Sequence, residues 1–217
     1  MRSTTRHGNL DRIFKNGNSE LMNIVARLSV LYEDFRVDYT SLFQIAENPR
    51  SEDPNERYRM MYLIRRSIAT MSEFQGGLTQ LLRSTEYKEI KSSIADHNRE
   101  SIETANRNLQ SQCMRVKSWR DAIGGHFQSQ VASEACKLIP KGTVGSITWS
   151  RQDKAGFYLH LQYAEFIVTA AIIGRLEGVD ANIELHEALE GVLGCYPELS
   201  RAAFAIVHEF VWNKFGR

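Results

Sequence analysis

Apolar residues first take up a helical rhythm at Leu21. Leu21, Ile24, Val25, Leu28, Leu31, Tyr32 and Phe35 fall at three- and four-residue steps, which sets them on one helix face. Ser19 offers an N-cap hydroxyl just before the run, and the helix is predicted to reach about Ala46. Asn48-Pro49 and Asp53-Pro54 bracket a turn. Pro54 suits the first turn of a second helix, whose stripe is Tyr58, Met61, Ile64, Ile68, Met71, Phe74, Leu78 and Leu81. Gly76-Gly77 interrupts that stripe. Each glycine costs about 1 kcal/mol relative to alanine in a helix interior, so close helix packing or a kink is expected there.

The pattern thins over residues 86–118. Ile90, Ile94, Ile102, Leu109, Met114 and Val116 are widely spaced, as in a partly exposed helix or two short ones broken near Asp96. An amphipathic segment from Val131 to Ile139 follows and ends at Pro140-Lys141-Gly142. Residues 143–153 read as a loop or one short strand. Phe157 to Arg175 reads as a buried helix stopped by Gly174 and Gly178. Two more helices, Ile183–Leu193 and Leu199–Trp212, are predicted to join around Gly194 and Pro197. The expectation is an all-α, antiparallel multi-helix bundle. Residues 1–17 form a polar N-terminal tail, residues 18–140 the main bundle, and residues 141–217 extra C-terminal helices packed on it.

Composition narrows the function classes. The 217 residues carry 27 Lys+Arg against 26 Asp+Glu, so any polyanion site must be a local patch. The basic N-terminus has no apolar core of a signal peptide, and the longest apolar stretch, Phe166–Gly174, is too short for a membrane span. Cys113, Cys136 and Cys195 form neither CxxC nor an even set, which favours reduced thiols and a cytoplasmic protein without membrane association.

Charge is unevenly placed. Between Ala105 and Arg120 stand Arg107, Arg115, Lys117 and Arg120 with no acid; between Leu176 and Ser200 stand six acids with no base. These are solvated helix faces, or else the basic stretch meets phosphate and the acidic one a protein partner. His186-Glu187-Ala188-Leu189-Glu190 lacks the second histidine of a helical zinc motif and reads as a polar helix face. His160 and His208 sit among apolar residues and read as partly buried, satisfied histidines. No ligand set for a metal and no phosphate loop is present, so neither metal nor cofactor is expected.

One stretch gathers chemistry: Trp119-Arg120-Asp121-Ala122-Ile123-Gly124-Gly125-His126-Phe127. Metal-free RNA cleavage needs a base for the 2′-hydroxyl proton, which an imidazole suits. It also needs a guanidinium to meet charge developing on phosphate oxygens. Arg120, five residues, then His126 resembles the Arg-x(4–6)-His signature of HEPN domains, and Asp121 after the arginine suits that pattern. The segment from Tyr62 to Phe74 is similar to an earlier helix of bacterial HEPN-like proteins. The resemblance covers about residues 20–140. It implies a homodimeric, metal-independent ribonuclease, toxin-like or defence-associated, with two copies of the motif lining one cleft. Arg120, Asp121 and His126 would be its catalytic groups.

Helix geometry constrains this reading. On an unbroken helix Arg120 and His126 lie about 120° apart and roughly 9 Å along the axis. Either Gly124-Gly125 breaks the helix, or the pair is completed across a two-fold dimer. Arg115 and Lys117 would then bind flanking RNA phosphates. The alternative is a non-catalytic helical module, in which Arg120 pairs with an acid, His126 caps a helix end and the acidic C-terminal helices hold a protein partner.

Overall fold

The computed structural model describes residues 19–47, 54–115, 129–139, 141–142, 147–152, 156–161, 167 and 181–212. The chain is an all-α bundle with one small hairpin. Its elements are α1 (Glu20–Glu47), α2 (Pro54–Arg83), α3 (Thr85–Ile90), a 3-10 turn (Lys91–Ser93), α4 (Asp96–Arg115) and α5 (Ser129–Leu138). There follow β1 (Ile147–Gln152), β2 (Gly156–Leu161) and α6 (Ala181–Phe210). None of the described helices is long and apolar enough to cross a membrane.

Four helices make the frame. α1 packs on α2, α2 on α4, α4 on α6, and α6 back on α1. Neighbours run antiparallel. On α1 and α2, Arg27 meets Glu73 and Leu28 meets Gly77, whereas Asp34 meets Arg66, so numbers rise on one helix as they fall on the other. On α4 and α6, Asn98 reaches His208 and Glu209, whereas Gln112 lies by Gly191. The periodic stripes face inward: Val25, Phe35, Ile64, Ile68, Met71, Phe74, Leu78 and Leu81 are wholly buried. Each such side chain contributes roughly 1.5–3 kcal/mol by leaving water.

The helix ends follow from capping chemistry. Ser19 Oγ accepts from Met22 N–H at 3.4 Å, as expected of the N-cap. Glu86 on α3 completes the cap: Oε1 accepts from Glu20 N–H at 3.1 Å, and Oε2 accepts from the Ser19 hydroxyl. A carboxylate there also meets the positive end of the α1 dipole. Ser84 caps α3 by accepting from Tyr87 N–H at 3.3 Å while donating to Leu81 C=O at 2.9 Å. That short helix drives Tyr87 into the core against Phe210, ring centroids 6.5 Å apart. The thinly apolar region thus divides before Asp96, which decides between the one helix and the two that the spacing left open.

Two expectations are corrected. Residues 156–161 are not the start of a helix: they form β2, antiparallel to β1, with Ile147 opposite Leu161 and His160 opposite Thr148. Phe157-Tyr158-Leu159-His160-Leu161 is an unbroken run that periodicity alone cannot assign, and pairing with Ile147-Thr148-Trp149 satisfies its backbone as a strand. Residues 168–175 of the expected helix lie outside the described residues. The second correction is that α6 is one helix and does not divide at Gly194 and Pro197. Proline removes one backbone donor and crowds the preceding turn, at about 3 kcal/mol. The buried stripe Val192, Cys195, Leu199, Ala202, Ile206 and Phe210 nevertheless stays in phase across it, and that burial exceeds the local cost.

Gly76 and Gly77 separate the two explanations for the glycine pair. A Cβ on Gly77 would come within 2.7 Å of Leu28 Cδ2, whereas a Cβ on Gly76 meets nothing within 4 Å. Gly77 is therefore the close-approach residue of the α1–α2 crossing, and Gly76 is a solvent-facing position. Urea unfolding should show Gly76→Ala raising stability by about 0.5–1 kcal/mol through helix propensity. Gly77→Ala should lower it by about 1–3 kcal/mol, because the added methyl overlaps the buried Leu28 side chain, which must shift. Equal effects from both substitutions would contradict the packing role.

Candidate functional site

α4 ends at Arg115, before the motif; the next described helix, α5, begins at Ser129. Lys117, Arg120, Asp121 and His126 lie outside the described residues, as does the Arg115 side chain. Arg107 of the same basic stretch is exposed on α4, and its guanidinium donates to Thr104 Oγ1 at 3.0 Å. His160 stands on β2 and not on a helix. His186 lies within α6. Among the described residues no group of three or more His, Cys, Asp or Glu is arranged to hold a metal ion.

The described residues form a different concentration of chemistry between α1 and α6. A groove of about 610 Å³ opens there, with Leu28, Ala203 and Ile206 beneath it and Phe204, His208 and Trp212 along one side. Phe204 is 67% exposed, the most open of the large apolar side chains among the described residues. Its ring stacks on His208, centroids 5.8 Å apart and 24° between planes. The pair lies at i and i+4 of α6, one turn apart on one face.

Asn98 on α4 fixes the His208 ring. Its side chain is almost wholly buried, and its amide nitrogen donates to Glu209 Oε1. A carboxylate only accepts, so this bond sets which way the amide points. The same nitrogen lies 3.3 Å from His208 Nδ1, which must then be the acceptor. The neutral ring consequently carries its proton on Nε2. On the α1 side, the Tyr32 hydroxyl lies near Ser200 and Tyr196, and burial is the main cause that pushes its pKa upward. Ser200 Oγ is shut off from solvent without a well-formed hydrogen bond, although the Tyr32 hydroxyl is close. This cluster escaped the sequence reading because Asn98 and His208 are 110 positions apart. The one legible signal was Phe204 and His208 spaced by a turn.

Two further titratable features are buried. The thiol of Cys195 is pushed up to about 12, chiefly by burial and then by the neighbouring Cys113, so it is no nucleophile at neutral pH. Asp38 on α1 is 1% exposed and faces Arg66 on α2, Nε to Oδ2 3.1 Å. That ion pair is not aligned as a hydrogen bond, and Arg66 also leans toward Asp34 at 3.6 Å. Burial therefore prevails over Arg66, and Asp38 rises to about 6, with Asp34 adding to the rise.

That shift has a definite sign. A carboxyl whose folded pKa lies above its unfolded value of roughly 3.9 contributes stability through proton uptake. The contribution is complete below the unfolded value and is lost as pH rises through about 6. Unfolding free energy should therefore fall between pH 4.5 and pH 7.5 by about 1–3 kcal/mol from this group. Asp38→Asn should flatten that part of the profile in urea titrations at several pH values. An unchanged difference between pH 4.5 and pH 7.5 would contradict the assignment.

Compared with protein-family models, curated proteins and solved structures, the chain matches none.

Proposed function

We propose that the protein is a HEPN-like ribonuclease that cleaves RNA without metal and acts as a dimer. The observation that carries the reading is the run from Arg120 to His126, which follows the basic residues of α4 and precedes α5 in a helical bundle. An all-α frame of long antiparallel helices is the setting the signature requires. The segment Tyr62–Phe74, the other part of the resemblance, lies on α2 with Ile64, Ile68, Met71 and Phe74 in the core.

Each residue has a chemical task in this proposal. His126 takes the proton of a ribose 2′-hydroxyl, whose oxygen attacks the adjacent phosphorus. Arg120 meets the charge that builds on the phosphate oxygens, with the planar fork that lysine lacks. Asp121 orients one of the two. Arg115 and Lys117 hold flanking phosphates. The 5′-oxygen of the next nucleotide leaves and takes up a proton. A dimer would let two copies of the motif line one cleft, which answers the angular offset of Arg120 and His126. A toxin- or defence-related role follows from the same resemblance.

Purified protein should cleave single-stranded RNA in buffer containing a chelator. His126→Ala and Arg120→Lys should each reduce the rate by about 100-fold or more with helical content retained. Their losses should not add, because the groups act on one phosphate. An RNA pool left intact by the wild-type protein would favour the non-catalytic module. Light scattering at micromolar concentration should report a dimer; a monomer would count against the shared cleft.

A further inference from the structure

We propose that the groove between α1 and α6 binds a small uncharged molecule with a flat aromatic body and a carbonyl group. The volume of about 610 Å³ falls within the ordinary range for small-molecule sites. Asn98 holds His208 in the tautomer that carries a proton on Nε2, so the ring offers a donor where a ligand would need to supply an acceptor. Phe204 presents an exposed face already backed by that imidazole, which extends the stack by one more ring. Ser200 Oγ, one turn before Phe204 on α6, adds a buried polar atom without a well-formed partner.

Charge selects against ionic ligands. Among the described residues Glu33 is the only carboxylate lining the groove, and Arg36 already binds it at 2.7 Å, so a cation gains little. Among the described residues no lysine or arginine lines the groove, and Glu209 stands behind His208, so an anion meets no countercharge from them. The same argument removes an RNA phosphate. The groove also uses none of the motif residues: Asn98 marks its end of α4, about 25 Å along the helix from Arg115. The inference therefore stands whether or not the ribonuclease reading holds.

Nile red, a neutral fused-ring ketone whose fluorescence rises in apolar surroundings, is a suitable probe. Titration of the full chain should give saturable binding at one dye per chain with a micromolar dissociation constant. Phe204→Ala alters an exposed residue and should weaken binding about threefold to tenfold. His208→Phe keeps the stacked ring but removes the Nε2 donor, and should weaken binding by a similar factor. Ala203→Trp should fill the groove and abolish binding. Circular dichroism reports whether each variant is folded, and Phe204→Ala alone decides the question if the others are not. Absence of saturable binding, or affinity unchanged by Phe204→Ala, would overturn the proposal. So would one dye bound per two chains with dimers present, which would make the groove an interface between copies.

Discussion

The close approach of α1 and α2 at Leu28 and Gly77 governs the rest of the bundle. With no side chain on Gly77, Leu28 can sit against the α2 backbone, and the two helices come close enough to bury both apolar stripes. The same crossing puts Asp38 opposite Arg66 and leaves the other side of α1 for α6. α4 closes the ring by packing on both α2 and α6. Polar bonds then fix details that burial leaves free: Thr79 donates to Asn106 at 3.0 Å between α2 and α4, and Glu86 caps α1 from a distant part of the chain. The neutral Thr79–Asn106 bond adds about 1 kcal/mol and bonds to a carboxylate about 1.5–3 kcal/mol, far less than the core, but they are directional and select one register.

Most of this frame was legible because amphipathic helices announce themselves by spacing. The expected start at Ser19 and the end near Ala46 fall within a residue of α1, and Pro54 begins α2. What was not legible depends on tertiary terms. Pro197 carries a local penalty that any sequence window registers, whereas the core that outweighs it is built from α1 and α4. Phe157 to Leu161 has the composition of either a strand or a buried helix, and only its pairing with β1 decides. The Asn98–His208 contact joins residues 110 positions apart and leaves no local trace. Conversely, the Arg120–His126 run is conspicuous in sequence for its chemistry and carries no information on packing.

On the two proposals, the groove and the motif divide the molecule between two kinds of recognition. One lies between α1 and α6, is predominantly apolar, and has its polar groups set by buried partners. The other follows the basic stretch of α4, where guanidinium and imidazole groups are concentrated in sequence. On the proposed reading the bundle serves the second by anchoring the helices on either side of it. α4 brings the chain to the motif, and α5 takes it away.

The most direct test of that reading is the chemistry of the RNA ends. Attack by the 2′-oxygen, with His126 removing its proton and no metal to activate water, leaves a 2′,3′-cyclic phosphate on one fragment and a 5′-hydroxyl on the other. Mass spectrometry of the fragments formed in chelator-containing buffer should find that pair of ends. Fragments with 3′-hydroxyl and 5′-phosphate ends would contradict it.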